Sequence, residues 1–150
     1  MTEYALPEEG RQLMLMVADY IKAYPEHYSQ DAWCGTTECV AGVAAHLVGS
    51  PGNPRTMCGL YKGRHQTVAA IAEDALGLSS LAADLLFETS WIPEQGAAAR
   101  LREIADATSM RDIMLMLVED NERGDEIHRL QFEVEMAEYG YGDDDQDDYF

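Results

Sequence analysis

The chain is poor in basic residues, in cysteines and in long apolar runs, and each shortage excludes a class of protein. Of its 150 residues only 10 are Lys or Arg, against 28 Asp or Glu, which gives a formal net charge of −18. Nucleic acids and anionic lipid surfaces are bound through clusters of Lys and Arg, so we expect neither direct nucleic-acid binding nor membrane binding. Three cysteines do not make a secreted disulfide framework, and we expect reduced thiols in a cytoplasm.

Other missing patterns bear on the fold. No apolar run approaches the ~20 residues of a membrane-spanning helix, and the acidic first nine residues do not resemble a signal peptide. Alternating β-branched residues, the pattern typical of a strand, are also missing. The sequence therefore predicts an all-α fold with one compact domain of about six or seven helices over residues 1–138. Residues 139–150 are predicted to form a flexible, acidic and disordered tail.

Along most of the chain, apolar residues recur at spacings of three and four, which predicts amphipathic helices. Residues 50–63 are rich in Gly, Pro and Asn and predict an excursion without regular structure. Ser109, with Asp112 three residues later, predicts a helix start. The predicted helices cover residues 8–24, Thr36 or Thr37 to Gly49, about 65–76 with Gly77 as its end, a stretch from Ser79 or Ser80, a stretch from Pro93, a stretch from Ser109, and a last one around 127–134 after an interruption at Gly124.

The negative charge is concentrated towards the C-terminus. Residues 119–150 contain 13 Asp or Glu and only two basic residues, Arg123 and Arg129. Such a field favours a basic protein partner. A solvated acidic surface that keeps the protein soluble, and an imitation of the charge of DNA, are the other two interpretations.

The most distinctive segment runs from Cys34 to His46 and opens a helix of small residues. One interpretation is structural, in which Cys39 is a small buried apolar residue and Gly42 admits a close neighbour. Another is catalytic, in which Cys34 or Cys39 lies near a helix N-terminus that lowers a thiol pKa, with His46 or His65 as the base. The residues alone do not decide between them.

Zinc binding is a third interpretation of the cysteines. The candidate ligands are Cys34, Cys39, Cys58 and His65, which could surround one ion if residues 50–65 fold back over the start of the second helix. They lack the paired short spacings of specific zinc motifs. Cys39 and His46 are seven residues apart, about 10 Å along a helix, which is too far for one ion.

Residues 20–95 resemble a group of small uncharacterised proteins of actinobacteria and their phages. The pattern of that group includes His-Pro-Glu and Cys-Gly-Thr-x-x-Cys-x-Ala-Gly-x-Ala. Residues 34–44 follow the second part, and this chain departs from the first part by Tyr24 in the position of the histidine. The resemblance implies a compact helical body and a phage-encoded accessory protein that acts inside a bacterial host, and it implies no reaction. The matching residues are Tyr24-Pro25-Glu26, Gln30, Trp33, Cys34-Gly35-Thr36, Cys39-Val40-Ala41-Gly42-Val43-Ala44, Leu76-Gly77-Leu78, Leu86-Phe87 and Trp91.

We therefore expect a non-enzymatic acidic binding protein, in the cytoplasm of the bacterial host, that engages a host or phage protein. No phosphate-binding loop, paired-carboxylate motif or dinucleotide fingerprint is present, so we expect no cofactor. A metal-binding or thiol enzyme that depends on Cys and His is one alternative function. A DNA-mimic inhibitor of a DNA-binding protein is the other. The sequence leaves the partner, the oligomeric state and membership of a virion open.

Overall fold

The computed structural model describes residues 3–27, 39–53, 55–88 and 94–139. Over these residues the chain is mostly helical, as predicted, and it also contains a small antiparallel hairpin. The elements in chain order are α1 (Glu8–Ala23), a 3₁₀ turn (Pro25–His27), α2 (Val40–Leu47), β1 (Cys58–Tyr61), β2 (Arg64–Thr67), α3 (Val68–Leu76), α4 (Ser80–Glu88), α5 (Glu94–Asp106) and α6 (Met110–Tyr139).

The core is built around α1, which packs against α2, α3 and α5, while α4 packs against α6. Apolar residues at spacings of three and four put one face of each helix into this core. Removing each of the larger side chains from water contributes about 1.5–3 kcal/mol to folding. The largest fully buried side chains are Met14, Val17, Ile21, Val40, Ile71, Leu76, Leu86, Leu101, Ile104, Ile113 and Leu117.

Two glycines allow α1 and α3 to meet closely. Gly10 in α1 lies against the carbonyl oxygen of Leu76, where a Cβ would have no room. Gly77 ends α3 with a φ of 75°, as the sequence predicts, and a Cβ there would meet Pro7 Cδ at 2.5 Å. Only glycine fits both requirements at position 77, a left-handed backbone and a packed proline ring.

The expectation of no strand is wrong for residues 58–67, where β1 and β2 pair with Tyr61 opposite Arg64. The turn consists of Lys62 and Gly63, whose φ angles are 51° and 77°. Positive φ at both positions matches the twist of the two strands. The strand residues lack an alternating apolar pattern, and a Lys at positive φ is uncommon. The sequence therefore gives no signal for this hairpin.

The predicted start of the third helix at His65 is also wrong by three residues. Residues 64–67 belong to β2, and the helix begins at Val68. The side-chain oxygen of Thr67 accepts a hydrogen bond from the Ala70 N–H at 3.1 Å, which satisfies one of the free donors of the helix.

The last two predicted helices form one continuous helix, so the predicted interruption at Gly124 is wrong. The start of this helix is as predicted, because Ser109 Oγ accepts from the Asp112 N–H at 3.1 Å. A glycine inside a helix costs only about 1 kcal/mol, and good helix formers surround Gly124. The helix runs to Tyr139, one residue past the predicted end of the domain, and the rest of the acidic tail lies outside the described residues.

Within the described part of the chain, no helix combines the length and the apolar character that crossing a membrane requires. The longest helix, α6, has 30 residues and carries charges along its whole length.

Candidate functional site

The second half of α6 extends beyond the packed core. In the first half the buried positions are Ile113, Leu117, Asp120 and Gly124, at successive spacings of four, three and four residues. This spacing keeps one face of the helix turned towards the body of the protein. Beyond Gly124, no side chain that the structure describes in α6 is buried. We call residues 125–139 the arm.

The apolar stripe of α6 continues into the arm, where the rest of the protein no longer buries it. Ile127, Leu130 and Val134 are 39%, 47% and 59% exposed, and their spacings of three and four place them on one face. Ile127 follows the buried Gly124 by three residues, so the exposed stripe lies on the same side of the helix as the buried one. Leu130 and Val134 line a groove of about 430 Å³ together with Gln131 and Glu135. The arm therefore exposes the kind of surface that the first half of α6 buries.

Acidic side chains surround this stripe. The arm contains five Asp or Glu and one basic residue, Arg129. The Arg129 guanidinium donates to Glu133 at 2.8 Å and to Glu126 at 2.5 Å, and these contacts raise its pKa. The single arginine is engaged by two glutamates of its own helix. With five acidic residues against this one arginine, the arm has a net negative charge.

A buried ion pair lies where α6 leaves the core. Arg100 of α5 donates to Asp120 at 2.7 Å, and the two side chains are 16% and 1% exposed. Asp120 Oδ2 has no hydrogen-bond partner in the described structure. Burial raises the pKa of Asp120, and the hydrogen bond and charge of Arg100 oppose that shift. The pair joins α5 to α6 at the base of the arm.

A separate cavity of about 590 Å³ lies beside β1 and β2. We call it the hairpin pocket. Leu60 of β1 stands opposite His65 of β2, and Cys58 precedes Leu60 by two residues, so all three share one face of the hairpin. Asn53 and Thr56 complete its polar lining, and Pro51 adds apolar surface. Two of the predicted zinc ligands, Cys58 and His65, therefore line one cavity.

The remaining predicted site residues lie elsewhere. Cys39 is 1% exposed at the start of α2. His46, in the last turn of α2, is exposed, and its ring centroid lies 6.3 Å from that of Tyr20. Cys34 lies outside the described residues, so the predicted catalytic pair with His46 is not tested. In the parts of the chain with described coordinates, no three His, Cys, Asp or Glu side chains group as metal ligands.

Comparisons with protein-family models, with curated proteins and with solved structures found no match to this chain. What the protein does is therefore inferred from the arm and the hairpin pocket.

Sequence patterns do not reveal two features of these sites, the exposure of the arm's apolar stripe and the partner of Asp120. The arm residues Ile127 and Val134 carry a helical pattern, but the pattern alone does not say whether a stripe is covered. Asp120 occupies a position on the buried stripe, which was a signal for a buried charge with a partner. That partner, Arg100, lies on another helix, so spacing could not identify it.

Proposed function

We propose that this chain is a non-enzymatic binding protein whose arm binds a basic amphipathic helix of another protein. The observation that carries the proposal is the apolar stripe of α6, which continues past the end of the core amid an excess of carboxylates. An amphipathic helix binds a neighbour through apolar side chains at spacings of three, four and seven residues. Ile127, Leu130 and Val134 have these spacings, and we call them the anchors.

Burial of these anchors would supply the affinity. Each large apolar side chain contributes at most about 1.5–3 kcal/mol when it is taken from water. The loss of translational freedom and the ordering of side chains reduce the binding free energy by several kcal/mol. Three partly exposed anchors thus support only weak binding, with a dissociation constant of about 0.1–1 mM when charge attraction is added.

Charge decides which kind of helix fits. A second copy of the chain would place one acidic arm against another, and like charges across an interface cost free energy. A partner helix with Lys and Arg beside its apolar face would meet the arm's acidic residues instead. Charge complementarity therefore favours a basic partner over self-association. The resemblance of residues 20–95 to phage and actinobacterial proteins would place that partner inside a bacterial host.

The test uses a synthetic 20-residue amphipathic helix of Leu and Lys, labelled with a fluorophore and titrated with the full chain. The matched control peptide has the same composition in an order without an apolar face. We expect saturable binding of the amphipathic peptide that weakens as salt is raised, and at least about tenfold weaker binding of the control peptide.

Variants locate the surface. The double substitution Leu130→Ser and Val134→Ser should weaken peptide binding by about tenfold or more. Leu115→Ser is the control, because Leu115 is 56% exposed on the first half of the same helix. Circular dichroism checks that both variants keep their helices. Equal binding of the two peptides, or equal loss in the two variants, would refute the proposal, as would a dimer that the double substitution disrupts.

A further inference from the structure

The hairpin pocket lies in the one long part of the chain that lacks acidic residues. Residues 39–72 contain no Asp or Glu, although the whole chain has 28. The same segment contains Arg55, Lys62 and Arg64. Lys62 is engaged by Asp74 of α3 at 3.0 Å. No carboxylate is among the described residues that line the pocket, so nothing in this lining repels an anion.

The polar side chains that line the pocket have hydrogen-bond donors to offer. Asn53 Oδ1 already accepts from the Arg55 N–H at 2.8 Å, and Thr56 Oγ1 accepts from the Cys58 N–H at 3.3 Å. Asn53 then has its amide N–H groups left to offer, and Thr56 its hydroxyl proton. His65 adds a ring N–H. Donors in such a number suit a ligand with acceptor oxygens.

The walls and the size of the pocket fit a small organic molecule. Its surface is mostly apolar, with Pro51 and Leu60 among the lining residues. Small-molecule sites typically enclose about 300–1,000 Å³ and combine apolar walls with a few polar groups. The hairpin pocket, at about 590 Å³, lies within this range.

Backbone contacts hold the pocket in shape. The Asn53 N–H donates to the Cys58 carbonyl at 2.9 Å, and the Met57 N–H donates to the Asn53 carbonyl at 2.7 Å. Gly59 lies so close to the preceding segment that a Cβ would meet the Ser50 carbonyl oxygen at 2.8 Å. A pocket fixed in this way loses little conformational freedom when a ligand enters.

We propose that the hairpin pocket binds a small organic anion, with an apolar body against Leu60 and a carboxylate or phosphate near Asn53, Thr56 and His65. The inference is independent of the arm, because it rests on other residues and another ligand class. Two metal ligands with no carboxylate in the described lining do not make a cation site, which is why an anion is the better fit.

The test is nuclear magnetic resonance of the ¹⁵N-labelled full chain with four probes that share one phenyl ring: benzoate, phenyl phosphate, benzyl alcohol and benzylamine. We expect benzoate or phenyl phosphate to shift the amide signals of Asn53, Thr56 and His65, and the stronger of the two identifies the anionic group. Benzyl alcohol and benzylamine should bind at least about tenfold more weakly.

His65→Phe keeps a ring but removes the imidazole donor, and should weaken binding of the preferred anion by about tenfold. Arg111→Gln, on the surface of α6, is the control and should leave binding unchanged. The spectrum of the rest of the chain shows whether each variant is folded. Absence of shifts at the pocket, equal binding of benzyl alcohol, or stronger binding of benzylamine would overturn the proposal, and none of these results would bear on the arm.

Discussion

Arg100 donates to one oxygen of Asp120 at 2.7 Å, while the other oxygen of that carboxylate is buried without a hydrogen-bond partner in the described structure. The pair is thus only half satisfied. A carboxylate that is taken out of water favours its neutral form, and here burial outweighs the arginine and raises the pKa of Asp120. The base of the arm therefore contains a group whose state depends on pH.

The first prediction concerns Asp120→Asn. The pKa of Asp120 is raised in the folded state, so its contribution to stability is complete below the unfolded pKa of about 3.9 and is lost as pH rises through the folded value. The free energy of unfolding of the wild type, relative to Asp120→Asn, should increase as pH falls from about 7 to about 4. Urea denaturation of both proteins at each pH measures this difference. A difference that stays flat, or that falls, would show that Arg100 controls the carboxylate.

Removing Arg100 should be costly. Arg100→Met leaves Asp120 buried and unpaired, which typically destabilises a protein by about 3–5 kcal/mol. Arg111→Met is the matched control, since Arg111 is exposed, and its cost should stay within about 0.5 kcal/mol. The loss in Arg100→Met should shrink at low pH, because protonation removes the unpaired charge. Equal stability of the two variants would contradict the structural role of the pair.

Gly10→Ala separates helix propensity from packing. Propensity alone predicts that alanine inside α1 stabilises the helix by about 1 kcal/mol. The carbonyl oxygen of Leu76 occupies the place of the new methyl group, so we expect destabilisation by about 1–3 kcal/mol. Chemical denaturation measures the sign directly.

Gly63→Ala is the companion variant. Gly63 has a φ of 77°, and the methyl group of an alanine there would meet no atom within 4 Å, so strain is the single cost. We expect it to lose about 1 kcal/mol, less than Gly10→Ala loses. A stabilising Gly10→Ala would mean that α1 and α3 do not meet as described.

The arm should open more readily than the first half of α6. Isolated helices of about 12–15 residues are marginal in water, and the arm lacks tertiary cover. Amide hydrogens of residues 128–139 should therefore exchange faster than those of residues 113–120. Hydrogen exchange followed by nuclear magnetic resonance measures both sets. Arg129→Gln should speed exchange in the arm further, because it removes the contacts with Glu126 and Glu133, and leave Ile113 unchanged.

Much of the helical architecture was predictable from local signals. Leu13 and Val17 mark the inner face of α1 by their spacing, Gly77 ends α3, and Ser109 begins α6. These signals work because each depends on residues within one or two turns of the same helix. The hairpin was not predictable in this way, because Lys62 and Gly63 form its turn without the usual strand pattern around them.

The candidate sites were less predictable than the fold. The sequence predicts Cys58 and His65 as candidate zinc ligands, and the pairing of β1 with β2 puts them beside one cavity. The donor character of that cavity depends on which oxygens are already engaged at Asn53 and Thr56, which composition does not reveal. The exposure of Ile127 depends on where the neighbouring helices end, and spacing along α6 does not contain that information.

The end of packing at Gly124 also has an evolutionary consequence. The inward-facing side chains of α6 before this point are packed in the core, so selection for folding would remove most changes at Ile113 or Leu117. Residues of the arm are free of that constraint, so their side chains can vary while the body persists. The surface of the arm can thus diverge between descendants of this protein, through ordinary point mutations, without a loss of the scaffold.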